Sequence, residues 1–395
     1  MSNDIKKVQP FDSFTAVYKI LVWAGYYKPL NKTSRLKRIS HQIYRVLALV
    51  FTVVYNVQHL IFTVQHRNDM DKLMDCLVIE IPQMNMFMKV LTMTIQTPRL
   101  DKIHELLNGN NIFAAIYEED EVILRKNTTD MHCLSKVLNV GVILASFLWP
   151  ISFFVKRYSD KNEVVNSYMP FETDTWFSLS VILETGPILW TGYGHISLDC
   201  LIATYYAQAQ TQFKVIKHHL RYFLHSNIEN SENGDCLRSF QYKNETDESI
   251  FKRFVEIVNR YEKTVWYKNE VDAAFNLSLS FQFLSSASVV CLVIFRMTIV
   301  SIYLIYFINV FIDIVSYCLY FKLMTSELPS LILIFRSIQT INDSLYDSDW
   351  VSLSPSFRRL LLIAMCRWSQ PIQPRVSHII PLSLSTFSDS DNNIK

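Results

Sequence analysis

The side chains with the most chemistry to offer are charged groups set inside long apolar runs: Asp75, Glu80 and Lys89 in one, Glu184 and Asp199 in another, Asp313 in a third. A charge in hydrocarbon is costly unless it faces protein or water. Such residues therefore point either to a wet vestibule inside a helix bundle or to run ends that project beyond a bilayer, and the sequence leaves both open. Nothing comparable points to catalysis. There is no GxxxxGK, GxGxxG, HExxH or GxSxG pattern, and seven glycines leave little material for a phosphate-cradling loop. His218 and His219 are the obvious pair for a metal. Neighbours on a helix point in different directions, however, and no carboxylate or cysteine stands at ligand spacing beside them, so neither a metal nor a cofactor is expected. Cys76, Cys133, Cys200, Cys236, Cys291, Cys318 and Cys366 contain no C-x-x-C pair. Most fall in apolar runs or on the basic side defined below, where free thiols are expected.

A second set of candidates is apolar. Phe147, Trp149, Phe153, Phe154, Trp176 and Phe177 cluster at the ends of two runs, with Ile182 beyond them. Aromatics at such ends form a belt at headgroup level. They also suit the wall of an apolar pocket between helices, open to the outside, and neighbouring residues can serve each role. Phe147, Trp149, Phe153, Trp176, Phe177 and Ile182 are the ligand-binding candidates.

The elements that must position these groups are six apolar runs, 43–64, 73–97, 134–155, 176–206, 275–297 and 298–322. Each supplies about the 20 residues that roughly 30 Å of hydrocarbon demands of a helix. Pro82, Pro150 and Pro187 interrupt three of them, as membrane helices tolerate, and such kinks open cavities. The flanks alternate sides, and 28 of the 38 lysines and arginines fall on the side of the N-terminus against six on the other. Positive flanks stay in the cytoplasm, so the N-terminus is expected there, opposite to a G-protein-coupled receptor. The first forty residues lack a basic region leading to a short apolar core and cleavage site, and the first span is expected to insert as its own anchor. Composition agrees, with 50% hydrophobic residues and 13% aromatics. A net charge of +2, spread over loops, gives no footprint for nucleic acid.

Between the fourth and fifth runs, residues 207–274 change character. The segment 208–224 is amphipathic. In 249–269, Ile250, Phe254, Ile257, Val258, Tyr261 and Val265 recur near helical spacing among charges, and the polar tract 227–248 between them reads as a connection. The fourth and fifth helices are therefore expected to project into the cytoplasm. The expected fold is an all-α polytopic membrane helix bundle with a cytoplasmic N-terminus, six full spans and a truncated seventh. Residues 1–42 are read as a cytoplasmic segment, 43–322 as the ligand-binding bundle with the long loop 207–274, and 323–395 as an anchor region.

The C-terminal part carries a more specific signal. Tyr346-Asp347-Ser348-Asp349-Trp350, then Leu353-Ser354-Pro355-Ser356-Phe357-Arg358-Arg359-Leu360-Leu361-Leu362-Ile363, Pro371, and Pro381-Leu382-Ser383-Leu384-Ser385-Thr386-Phe387 resemble the C-terminal signature of insect odorant receptors. Tyr317-Cys318-Leu319-Tyr320 is similar to that family's preceding motif, and length, inside N-terminus and long fourth loop agree over nearly the whole chain. The resemblance implies a plasma-membrane tuning subunit of a ligand-gated cation channel in sensory neuron dendrites. It implies assembly with a co-receptor subunit in a heterotetramer, and a small apolar volatile bound among the outward halves of the helices. It also implies a cytoplasmic helix, here 356–368, that packs as an anchor between subunits, with Asp349, Trp350, Arg358, Leu360, Leu361 and Ile363 as the anchor candidates.

Two features depart from that family. Residues 323–341 stand where a shorter polar linker is usual, and 328–335 is too short to cross a bilayer, so an interfacial segment is expected. After Phe387 the family continues through a pore-lining seventh helix, whereas 379–387 is followed by a polar tail. Nine residues of helix span about 13.5 Å, less than half the hydrocarbon, so this form is expected to lack a full pore wall and not to conduct normally. A gustatory receptor subunit shares the architecture and is the alternative. A secondary transporter would show inverted repeats with paired broken helices, which are not seen.

Overall fold

The computed structural model describes residues 8–29, 34–109, 111–159, 167–222, 247–300, 345–346, 350, 353–368, 375–376 and 380–381. Its long elements are helices: α1 (Thr15–Trp23), α2 (Arg35–Gln65), α3 (Met70–Ile95), α4 (Thr97–Gly109), α5 (Glu118–Ser159), α6 (Phe177–Tyr222), α7 (Asp247–Val300) and α8 (Pro355–Trp368). Single 3-10 turns, Pro10–Phe14 and Asn111–Phe113, precede α1 and follow α4. Arg375–Val376 (β1) and Ile380–Pro381 (β2) form a two-residue antiparallel pair.

The apolar runs 43–64, 134–155 and 275–297 lie inside α2, α5 and α7, 73–97 covers α3, and 176–206 begins α6. The run 298–322 has only its first three residues in α7. The rest of it, with Asp313, 323–341 and Asp349, lies outside the described residues. Of 379–387, only Ile380 and Pro381 are described, in β2. Three helices are far longer than a bilayer is thick. At 1.5 Å per residue the 42, 46 and 54 residues of α5, α6 and α7 extend roughly 63, 69 and 81 Å. The amphipathic 208–222 is the continuation of α6, and 249–269 is the first part of α7.

Local chemistry explains where several helices begin and end. The first turn of α5 carries Glu118, Glu119, Asp120 and Glu121, whose negative charge suits the positive end of the helix dipole. His219 and Arg221 occupy the last turn of α6, where positive charge is favoured. Residues 10–27, to which the sequence reading gave no element, fold back on the bundle. Their helix α1 stops at Gly25, whose φ of 80° lets the N–H groups of Gly25 and Tyr26 reach the carbonyls of Val22 and Leu21 at 3.2 and 2.9 Å. Gly194 in α6 marks a close approach, since a Cβ there would stand 2.2 Å from the Tyr26 ring.

Helix α2 is apolar on the wrong side for a protein in water. Its inward row is Ala48, Thr52, Tyr55, His59 and Phe62, while Val46, Leu47, Val50, Val53, Val54, Val57 and Leu60 face outward. Such an exposed apolar face is what lipid replaces water against. Three threonine hydroxyls are satisfied locally: Thr52, Thr63 and Thr185 donate to the carbonyls of Ala48, His59 and Val181 at 2.6 to 2.9 Å. Among the described residues two helices meet a length-and-hydropathy test for crossing a membrane, α2 and the 248–292 part of α7, at mean hydropathy 1.7 and 1.4. Buried Lys89, Glu184 and Asp199 put polar weight into α3 and α6.

One hydrophobic core runs through the end of the bundle that carries the N-terminal segment. Phe14, Tyr18, Tyr205, Phe213, Phe254, Tyr261 and Tyr267 are central to it. This is the basic end by the charge count above. The opposite, far end holds two small clusters, Val78 with Val289 and Phe153 with Val181.

Candidate ligand site and its surroundings

Phe153 on α5 and Phe177 at the start of α6 come together at the far end. Phe153 is buried against Val181, with Met169 and Phe177 packed on the pair. Phe154 meets Phe177 edge-on at 5.7 Å between centroids, and the Arg157 guanidinium lies 5.1 Å over the same ring. Arg157 also bridges to Asp174 at 2.9 Å, tying the α5 end to the segment before α6. Phe147, Trp176 and Ile182 are not part of this group. They stand on the perimeter at 68%, 59% and 65% exposure, where a headgroup-level belt would lie. The backbone of Trp149 is helical, and its side chain lies outside the described residues.

Behind the aromatic group, α2, α3 and α6 enclose a column of polar side chains. His59 is fully buried between two carboxylates, with Nδ1 3.7 Å from Glu80 and Nε2 3.7 Å from Glu184. Among the described residues, neither imidazole nitrogen, neither Glu184 oxygen, and neither polar atom of the Asn85 side chain has a hydrogen-bond partner, and the Tyr55 hydroxyl is in the same position. One layer further in, Gln83 donates to Thr191 at 2.8 Å. Beyond that, Lys89 bonds to Asp199, with His195 Nε2 3.3 Å from the ammonium. A buried lysine and aspartate in hydrocarbon survive because each neutralises the other. Orphaned polar atoms in a dry interior cost about 1–3 kcal/mol each, so the His59 layer is suited to water or to a polar group of a ligand.

The sequence had singled out Glu80, Lys89, Glu184 and Asp199. It missed His59 and His195. Their signal was present in the helical spacing: His195 and Asp199 are one turn apart on α6, and His59 falls on the inward row of α2.

At the basic end several buried polar groups are held by close hydrogen bonds, although the Tyr27 hydroxyl and Gln208 Nε2 have no partner among the described residues. Arg260 donates to Gln212 Oε1 at 2.8 and 3.1 Å and to the carbonyls of Phe113 and Ala114 at 3.3 Å, closing the turn after α4 onto α6 and α7. Burial pulls its pKa down to about 10 against the opposing pull of Asp120. Tyr18 Oη, Tyr205 Oη and His104 Nε2 form a triangle of 2.5 to 2.6 Å. Burial lowers the His104 pKa from 6.5 to about 4, so the imidazole is held neutral.

Helix α8 packs on α7. Phe357, Leu361, Met365 and Trp368 are its buried row, with Phe357 5.5 Å from Phe254 and Trp368 5.5 Å from Tyr261 between ring centroids. Of the anchor candidates, Leu361 belongs to this intramolecular row and Trp350 packs against the core. Arg358 is half-buried, and Asp349 lies outside the described residues. Leu360 and Ile363 point away from the chain's own core, at 39% and 70% exposure.

Long helices that expose apolar rows and bury charged pairs define a polytopic helical membrane protein. The sequence pattern of the 7tm Odorant receptor family matches residues 69–392, and the chain belongs to that family. Its members are receptors and not enzymes. The putative odorant receptor 92a of Drosophila melanogaster is 21% identical over 238 residues, 58% of this chain. That match spans about half (51%) of the relative's length. The insect olfactory receptor OR5 from Machilis hrabei shares the fold at a TM-score of 0.73 and 12% identity, covering 95% of this chain and 93% of that one. The same receptor in complex with eugenol gives 0.74 and 13% over the same coverage.

Proposed function

We propose that this chain is an odorant-sensing subunit of a ligand-gated cation channel in the plasma membrane. In this reading its N-terminus is cytoplasmic, it detects small apolar volatiles, and it assembles with a co-receptor subunit in a heterotetramer. The observation that carries the ligand part is the Phe153–Phe177 cluster, set at the far end of a fold shared along nearly its full length with a receptor solved with eugenol. An apolar volatile needs shape and a few polar groups, and the aromatic cluster backed by the unsatisfied His59 layer supplies both. Phe147, Trp149, Trp176 and Ile182 then serve as the belt or mouth around this pocket. The subunit contact uses the outward row of α8. Leu360, Ile363 and Arg367 share one face by their spacing of three and four, and Ile363 is an apolar side chain left 70% exposed.

The test is ligand-dependent thermal stabilisation of the purified chain by a panel of small volatiles, eugenol included, followed by current recording with a co-receptor subunit. Phe153→Leu is expected to shift the effective concentration of the best volatile by about tenfold, the scale of one to two methylene groups in an apolar pocket, while surface expression stays unchanged. A well-expressed Phe153→Leu chain with the parent's ligand response for every volatile would place the pocket elsewhere.

A further inference from the structure

The adjacent histidines of α6 acquire a third donor that sequence spacing does not announce. Asp120, 99 positions before His219 and in the first turn of α5, lies fully buried against them. His219 Nε2 is 2.9 and 3.0 Å from the two carboxylate oxygens, and His218 Nδ1 is 3.7 Å from Oδ1. All three donor atoms fall within 4.8 Å of one another. Side chains of consecutive helical residues diverge by about 100°. They converge here because His218 offers its near nitrogen and His219 its far one. We propose that Asp120, His218 and His219 form a binding site for one divalent transition-metal ion of the zinc class, clamping the start of α5 to the end of α6.

The chemistry of the donors sets the ion. Two imidazoles and a carboxylate are the ligand set that zinc takes at an open site, with water in the fourth position, while nitrogen donors disfavour magnesium and calcium. The carboxylate is already oriented: its Oδ2 accepts from the backbone N–H groups of Ile116 and Tyr117 at 3.0 and 3.1 Å, which leaves Oδ1 to turn toward an ion. The Tyr117 ring stands edge-on to His219 at 5.1 Å and fixes its plane. Burial pushes the Asp120 carboxyl upward, yet the bonds from His218, His219 and Tyr117 outweigh it and keep it ionised. The charge that opposes a cation is Arg260, whose donors are turned to Gln212 Oε1 and the Phe113 and Ala114 carbonyls. His218 retains 24% side-chain exposure at the basic end.

The test uses the full chain, purified in detergent and stripped of metal. Cobalt(II) titration followed by visible absorption, and zinc competition against a chromophoric chelator, are expected to report one equivalent with a four-coordinate spectrum. Zinc is expected to raise the melting temperature. His218→Ala, which changes a partly exposed side chain, is expected to fold with a lower metal-free melting temperature while weakening zinc binding about tenfold or more and abolishing the zinc-induced rise. Asp120→Asn and His219→Ala provide further variants where they fold. Absence of a bound equivalent, or equal affinity in parent and His218→Ala, overturns the site and leaves Asp120–His219 as a hydrogen bond between α5 and α6.

Discussion

The two ends of the bundle bury their polar groups to different degrees of satisfaction, with orphaned atoms such as the Tyr27 hydroxyl also present at the basic end. At the basic end, Arg260 finds acceptors in Gln212, Phe113 and Ala114, and His104 joins Tyr18 and Tyr205 in a closed triangle. At the far end, His59 stands between Glu80 and Glu184 with both nitrogens lacking a hydrogen bond among the described residues, as does the hydroxyl of Tyr55 beside it. The apolar packing differs in the same sense. The basic end has one continuous aromatic core, whereas the far end has two small clusters and large residues facing outward. A closed polar network rigidifies the structure that holds it, and an incomplete one costs stability. The comparison assigns stability to the basic end and adaptability to the far end, where a ligand or water can complete the bonds.

The comparison breaks first at Phe254, which packs between Phe357 and Trp368 where α8 meets α7. Phe254→Ala is expected to cost about 3–5 kcal/mol, read as a large fall in melting temperature in detergent and a loss of surface expression. A variant with the parent's melting temperature would remove the basic end from its role. The next largest effect is set by pH. The folded pKa of His104 is about 4, below the ordinary 6.5, so the unfolded chain takes up the proton first as pH falls. The stability of the neutral triangle is complete above about pH 6.5 and is lost between there and pH 4, amounting to roughly 3 kcal/mol. Melting curves across that window should flatten in His104→Gln, and an unchanged pH slope would deny the triangle its part. The smallest effect is expected at the far end. Glu184→Gln keeps the shape and removes a buried charge that lacks a hydrogen bond, so stability should change by under about 1 kcal/mol, in either direction. A loss as large as that of Phe254→Ala would show that both ends carry the fold alike.

The residues show why the sequence was legible to different depths in the two regions. The runs that became α2, α3, α5, α6 and α7 were readable because hydropathy over about twenty residues is a local sum, and α8 was readable from its apolar spacing and family signature. The segment 10–27 was not, since α1 is nine residues long and held by tertiary burial of Val17, Tyr18 and Leu21, with a Gly25 turn to end it. Aromatic candidates were half legible. Residue type marked Phe147, Phe153, Trp176 and Phe177 equally, yet rotation of α5 buries Phe153 and leaves Phe147 on the perimeter, where Trp176 also stands in the turn before α6. Leu360 and Leu361 are neighbours of the same type and face different partners for the same reason.

The amino-acid sequence by itself determined a helical membrane protein and its odorant-receptor character, because apolar length and a C-terminal signature are properties of contiguous residues. The tertiary structure alone decided which side chains meet. Lys89 and Asp199 are 110 positions apart, Asp120 and His219 are 99 apart, and His59 reaches Glu80 and Glu184 on two other helices. Such meetings depend on the rotation and axial register of one helix against another. Those follow from the packing of whole faces, and spacing within one helix shows which residues share a face but not which residues of another helix they meet.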